Sequence, residues 1–459
     1  MAAAQRRKSI IVIGDGMSDR PVAALGGKTP LMVARKPHID RIAREGRMGL
    51  VRTIRESGPA DSAVANLAVL GYDAAKVSQG RAVLEAASMG VAIEQGDVAL
   101  RCNLIALEGD PADPRIKNHS AGHITSAEAA ELIGVLDREL GSGRGPLPAH
   151  FHAGVSYRHL LVFRGGWASP DVACAPPHDH VGERVADLLP RAIVRPDQDP
   201  DAGGRPSETT PRPSQTAMQP NAAALQPNEA ARQPSEAAQR TAARLVELYE
   251  RARVILAGHP VNRARREAGR DAADAIWTWS PGMRPAMRTL AERFGVTSAV
   301  ISAVDLIKGL GVYAGMDVIE VPGATGLHDT NYEGKAQACL DALAGHDLVY
   351  VHVEASDEAA HARDLALKIR CIEYLDERLV RPILAGLEAR GIQASIAVLP
   401  DHPTPVETGQ HGRDPVPVAI LTPGQAPDAT ERFDEEAARR GALGTLEGDA
   451  FMRAVLGIG

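Results

Sequence analysis

Five short runs rich in β-branched residues constrain this chain more than any other feature: Ser9–Ile13, Ala299–Val304, Asp317–Val321, Leu348–Val353 and Ala394–Leu399. Each has the length of a strand rather than a helix, and the first is apolar without alternation, which predicts burial on both faces. Helix-like stretches lie between them, among them Asn331–Leu343 and Leu365–Leu387. Strand and helix in alternation imply an α/β fold with a mostly parallel sheet flanked by helices. Ligands gather at the carboxyl ends of the strands in such sheets. The first run ends on Gly14-Asp15-Gly16, so it delivers a carboxylate to that edge.

Between Ile93 and Arg293 the texture changes to shorter strand signals, Leu100–Leu107 and His159–Phe163, with helical ones at Ser126–Leu140 and Thr241–Ala257. A chain of 459 residues exceeds one ordinary compact domain. We therefore expect a core of residues 1–92 plus 294–459 and an inserted α+β domain over 93–293. Within the insert, residues 195–240 are rich in Pro, Gln, Ala and Ser, with Gln-Pro repeated at Gln219, Gln226 and Gln233. Such a stretch buries too little apolar surface to offset its ordering entropy, so disorder is expected there.

The balance of 51 basic against 58 acidic residues leaves no cationic excess for a nucleic-acid backbone, and 3% aromatic residues offer few stacking platforms. A small anion held in a local pocket fits better. The apolar stretch before Gly14 is too short for a signal-peptide core or a membrane span, so a cytoplasmic location is expected. Cys102, Cys174, Cys339 and Cys371 match neither a zinc spacing nor a disulfide framework and read as reduced thiols.

Four places carry chemistry. Asp357 and His361 stand four residues apart, a spacing that puts both on one face of a helix, where they can share a divalent ion. Asp401-His402 directly follows a strand, and His411 follows in a glycine-flanked loop. Asp15 ends the first strand. Ser62 precedes a helix-like stretch, and taken alone a serine there reads as an N-cap. Together, Asp15, Ser62, Asp401 and His402 form one possible ion site, and Asp357, His361 and His411 a second. Two ions about 4 Å apart activate a serine and stabilise both oxygens of an in-line phosphoryl displacement. Carboxylates mixed with imidazoles suit manganese first, then zinc, with magnesium less favoured.

The order Asp, Ser, Asp-x-x-x-His, Asp-His, His resembles that of the cofactor-independent phosphoglycerate mutases and their alkaline phosphatase relatives. Gly14-Asp-Gly-Met-Ser-Asp19, Gly27-Lys-Thr-Pro-Leu31, Ala65–Asp73, Pro322-Gly-Ala-Thr-Gly326 and Asp414-Pro-Val-Pro417 resemble the archaeal-type branch in particular. The resemblance runs from Ser9 to about Gly444. It implies that Ser62 takes the phosphoryl group as phosphoserine, that the seven groups hold two metal ions, and that 2,3-bisphosphoglycerate is not needed. It also implies that the insert is a lid that grips a small phosphorylated metabolite and excludes water. Where archaeal mutases tend to carry Arg-Ala-Gly-Arg, this chain has Ser120-Ala-Gly-His123. Candidate substrate grips are His123, Arg158, Lys308, Arg81 and Arg263. Arg101–Leu104, Ser156–Leu160 and Val351–Glu354 resemble a bacterial subgroup linked to homoserine phosphorylation, which makes a kinase-like phosphotransferase the alternative. A phosphatase on the same metal core is a further one. No P-loop or protein-kinase signature is present.

Overall fold

The structure is a computed structural model that describes residues 7–77, 80–141, 148–194 and 233–458. It divides into two compact units, one formed by residues 1–92 with 285–459 and the other by residues 93–284. The second crossing falls before the expected Phe294. Thr289 caps the short helix Leu290–Phe294, and Leu290 is fully buried in the core of the first unit, which draws this segment to that side.

The first unit is built on an eight-stranded sheet. Lys8–Gly14 lies inside it, paired in parallel with Leu348–Val353 on one side and Ala394–Leu399 on the other. Ser298–Ile301 and Asp317–Val318 extend the sheet in parallel beyond Leu348–Val353. On the other side Val416–Leu421 runs antiparallel, followed by Arg47–Val51 and the short Thr445–Leu446. The fold is α/β with a mostly parallel sheet.

Successive residues of a strand face opposite sides, and here both sides are core. Ile10 and Val12 enter one apolar cluster while Ile11 and Ile13 enter the other. Val349, Val351 and Val353 divide in the same way from Leu348 and Tyr350. Helices Tyr332–Ala342 and Leu365–Tyr374 cover the first face, and Ser62–Val69, Asp305–Tyr313 and Ala450–Leu456 cover the second. The single helix expected over Leu365–Leu387 is broken by a π turn, Leu375–Val380, before helix Arg381–Arg390. Pro382 has no N–H to give the preceding turn, and an extra residue in the turn accommodates it.

The second unit carries a five-stranded antiparallel sheet in which the long strand Val98–Asp110 pairs with Asp113–Asn118, Arg158–Phe163 and Ala275–Met283, while Ala149–His152 pairs with Arg158–Phe163. Leu100, Cys102 and Leu104 of the long strand pack with helices Ser126–Leu140 and Glu236–Ala257 on one face. The expected disorder over 195–240 needs correction at its end. Ser235 accepts a hydrogen bond from Ala238 N and starts the helix at Glu236, and Ala238 is fully buried against the sheet unit. Residues 195–232 lie outside the described residues. Among the described residues no helix is long and apolar enough to cross a membrane.

Candidate active site

Three adjacent parallel strands end together. Ile13 is in register with Leu399 and Gly14 with Val353, so the residues that follow, Asp15, Asp401-His402 and the Glu354–Asp357 turn, emerge side by side at the carboxyl edge. Asp15, Asp401 and His402 are fully buried. Gly16 follows Asp15 with φ of 60°, and a Cβ there would stand 2.7 Å from Thr404 Oγ1 and clash with Asp357, so only glycine lets the chain turn under the site.

Asp401 is held by His402 N at 2.8 Å, Gly16 N at 3.3 Å and Asn66 Nδ2 at 2.7 Å. Asn66 also donates to Ser62 O at 2.8 Å and accepts from Tyr350 Oη, which fixes its amide. The start of helix Ser62–Val69 differs from the expectation for Ser62 alone. Asp61 is the N-cap, its carboxylate accepting from Ala63 N at 2.8 Å. Ser62 is thereby free of capping, and its Oγ lies 3.0 Å from His402 Nε2.

The hydrogen bonds fix which nitrogen of each imidazole faces inward. His361 Nδ1 lies 2.8 Å from Gly409 O and His411 Nδ1 3.3 Å from Ala60 O. A carbonyl only accepts, so each Nδ1 carries a hydrogen, and Nε2 is the atom each ring turns toward Asp357 and would offer to an ion on losing its proton. Those two Nε2 atoms are 3.0 Å apart, with Asp357 carboxylate oxygens 3.0 Å from the first and 3.6 Å from the second. Thr404 donates its hydroxyl hydrogen to Asp357 at 2.5 Å, so it accepts from His402 Nδ1 at 3.1 Å. His402 Nε2 therefore also points a lone pair inward, 3.5 Å from carboxylate oxygens of both Asp15 and Asp401. The His402 and His411 rings stack with centroids 3.9 Å apart, which joins the two groups.

Such convergence of negative charge and lone pairs calls for cations. Burial, then the charges of Asp401, Glu354 and Asp357, push Asp15 well above the usual carboxylate range. Asp15 Oδ1 is buried with no hydrogen-bond partner. Burial would raise Asp357 too, but hydrogen bonds with His361 and His411 bring it well below the carboxylate range. The bond to Asp357 in turn pushes His361 up to about 9, so without a metal ion a proton supplies part of the positive charge. Asp15, Asp401 and His402 bring ligand atoms together, as do Asp357, His402 and His411, two groups that share His402 and could each hold a divalent ion; Asp357, His361 and His411 also converge within 3.6 Å.

Comparison with known proteins gives these residues a context. A family model described as 2,3-bisphosphoglycerate-independent phosphoglycerate mutase matches residues 43–262. The mutase of that name from Methanosarcina acetivorans is 44% identical over 441 residues, covering 96% of this chain and 97% of the relative. The chain belongs to the 2,3-bisphosphoglycerate-independent phosphoglycerate mutase family. A probable mutase of Geobacter sulfurreducens is 42% identical, covering 98% of this chain and 99% of its own. Among solved structures, the cofactor-independent phosphoglycerate mutase of Thermoplasma acidophilum aligns with TM-score 0.65 at 26% identity over 98% of this chain and 99% of that one. A Pyrococcus horikoshii protein aligns with TM-score 0.73 at 25% identity over 99% and 97%.

All seven expected ligand groups, Ser62 among them, lie near one strand edge. Sequence reasoning missed the groups around them. His352, buried within its strand, has Nε2 2.9 Å from Asp15 Oδ2, and Glu354, pushed up to about 7 mainly by burial, lies 3.6 Å from the same nitrogen. An imidazole in an otherwise apolar strand one residue from its end was the available signal for His352. Asn66 and Thr404 had none, because their roles depend on partners far away in the chain. The proposed substrate grips fare differently. Lys308 is engaged by both carboxylate oxygens of Glu320 at 2.8 Å. Arg263 is exposed, and the arginine turned inward on its helix is Arg265. The side chain of Arg81 lies outside the described residues. His123 and Arg158 lie in the second unit, each within 6.5 Å of the Tyr157 ring.

Proposed function

We propose that this chain interconverts 3-phosphoglycerate and 2-phosphoglycerate through a phosphoserine at Ser62, without 2,3-bisphosphoglycerate. The observation that supports this best is the serine itself. Its Oγ stands 3.0 Å from His402 Nε2 among the buried carboxylates, relieved of capping by Asp61. Asp15, Asp401 and His402 beside Ser62 would hold one divalent ion, and Asp357, His361 and His411 the other, with manganese first by ligand chemistry. Ions bound there supply Lewis acidity toward phosphoryl oxygens and a lower pKa for the serine hydroxyl.

In the first transfer, Ser62 Oγ gives up its proton and forms a bond to phosphorus as the bond to the glycerate oxygen breaks, and that oxygen takes up a proton. In the second, the other glycerate hydroxyl gives up its proton and attacks phosphorus, the Oγ–phosphorus bond breaks, and Ser62 Oγ takes up a proton. Asn66 fixes the backbone of Ser62 through its carbonyl and the carboxylate of Asp401 at once, which keeps nucleophile and ligand in one geometry. Retaining the glycerate and excluding water between the two steps separates a mutase from a phosphatase.

The test is an enolase-coupled assay on 3-phosphoglycerate with manganese and no bisphosphoglycerate. Isomerisation at roughly 1–1000 per second supports the reading, and Ser62→Ala is expected to lower it at least about a thousandfold. Free phosphate released in place of 2-phosphoglycerate would make the protein a phosphatase, and phosphohomoserine formed from homoserine would make it a kinase-like transferase.

A further inference from the structure

The loop after the first strand, Ser18–Pro21, also borders a cavity of about 1280 Å³ in the first unit, lined further by Lys28 and Thr29 and by much of the segment Ala429–Arg440. Its walls are pinned. Glu435 accepts from Ser18 Oγ at 3.2 Å, Asp19 N at 3.0 Å and Thr29 Oγ1 at 2.6 Å, which joins three of the bordering segments. Asp428 accepts from Met48 N at 2.8 Å and Ala442 N at 2.9 Å. Phe433, fully buried, anchors the middle of the last segment, and its N–H donates to Asp40 at 2.8 Å. Ligand cavities usually measure about 300–1000 Å³ and are largely formed before the ligand arrives, so this one has room for a metabolite.

Three cations of the lining, Lys28, Arg432 and Arg439, have no side-chain hydrogen bond or ion pair among the described residues. The carboxylates beside them are nearly all engaged. Asp19 is paired with Lys368 at 2.8 Å, Asp414 with Arg20 at 3.0 Å and Glu436 with Arg440 at 3.1 Å. Asp434 accepts from Glu436 N and Ala437 N, and Glu435 from the three donors above. Glu431 is the lining carboxylate left without a partner among the described residues, so the surplus is positive. A single solvated cation is ordinary, but three around one cavity focus a field into it. Arg432 precedes the buried Phe433 and Arg439 follows the buried Ala438, so anchored backbone presents both. The cavity shares Arg20, Arg52, Asp414 and Pro415 with a smaller one of about 430 Å³ that reaches His411. Their common wall holds an ion pair in which Arg20 Nε and Nη2 donate to Asp414 Oδ2 at 3.1 and 3.0 Å. Both side chains are more than half exposed, so the pair contributes little and another anion can replace Asp414 at small cost.

We propose that this cavity is an effector site for a small polyanion bearing phosphate groups, held by Lys28, Arg432 and Arg439 and drawing Arg20 away from Asp414. Asp414 closes the loop that presents His411, so its release loosens that imidazole, and occupancy of the cavity opposes ion binding at the strand edge. Inorganic pyrophosphate is the probe. Calorimetric titration of the full chain in chelator is expected to show binding, because without ions the carboxylates at the strand edge repel an anion. Lys28→Gln, Arg432→Gln and Arg439→Gln combined are expected to weaken it about tenfold or more, as loss of charge-assisted hydrogen bonds requires. All three side chains are exposed, so the triple variant is expected to keep its Tm and its basal turnover. With manganese in excess, saturating pyrophosphate is expected to lower isomerisation by the unaltered chain about fivefold and to spare the triple variant. Sequestration of metal by pyrophosphate acts on both chains alike and cancels in that comparison. Absent binding in chelator, or equal binding by the two chains, would overturn the site. Equal inhibition of the two chains would overturn its link to His411. Absence of isomerisation in the unaltered chain would instead count against the mutase reading, and the titration, which needs no turnover, would still decide the site.

Discussion

His352 and His159 are both buried imidazoles on strands, and their surroundings give them different duties. Facing Asp15 as a carboxylate, which only accepts, His352 Nε2 donates to Asp15 Oδ2 at 2.9 Å and leaves Nδ1 to accept from the Ser302 hydroxyl at 3.3 Å, while Ser302 Oγ accepts from Val304 N at 3.0 Å. Burial keeps this ring neutral, pushed down to about 3. It orients a candidate metal ligand, and partners of that kind change metal affinity about 10–100-fold when removed. His352→Phe is therefore expected to weaken manganese binding by that factor, read by calorimetric titration; unchanged affinity would leave His352 a packing residue. His159 lies in the second unit, on strand Arg158–Phe163. Its Nδ1 accepts from Gly154 N at 3.0 Å, and burial pushes it down to about 3. Its folded pKa is lower than the unfolded value near 6.5, so the unfolded chain binds the extra proton between these limits and stability falls as pH drops through that window. At pH 5 the loss relative to pH 7 is about 2 kcal/mol, and His159→Gln should flatten the acid side of the Tm profile.

At the scale of elements, the strand edge is kept in shape by groups that do no chemistry. Lys368, fully buried on helix Leu365–Tyr374, donates to Asp19 at 2.8 Å, Ser18 O at 3.1 Å and Thr404 O at 2.8 Å, tying the first strand's loop to the loop after Ala394–Leu399. Lys368→Met would leave Asp19 charged and unpaired in the interior, with an expected loss of about 3–5 kcal/mol in denaturant unfolding. A loss under 1 kcal/mol would show that water reaches the carboxylate. The runs Leu348–Val353 and Ala394–Leu399 were legible to the residue, because strands with core on both faces leave an uninterrupted apolar trace. The antiparallel Val416–Leu421, with Pro417 in its run, and the π turn at Leu375–Val380 were not legible, since each answers to a neighbour rather than to its own period.

At the scale of the molecule, three buried carboxylates, Asp15, Asp357 and Asp401, meet the part-buried Glu354 where three strands end, and their repulsion is a standing cost of the fold. An ion that binds only the folded state stabilises it by mass action, about 2.7 kcal/mol at a hundredfold excess over Kd. Chelation is expected to lower Tm, and manganese to restore it in proportion to the logarithm of its concentration; a Tm indifferent to both would argue against ion sites here. By itself the sequence determined the α/β class and brought out seven candidate ligand groups, with Ser62 among them as the candidate nucleophile, because strand ends and the spacing of Asp357 from His361 are local patterns. Only the tertiary structure decided that Asp61 rather than Ser62 caps its helix, that Asn66 and His352 hold the ligands, and that Arg265 clamps the turn bearing His123. Those contacts join residues far apart in the chain, and which of them form is decided by packing, which no local period records.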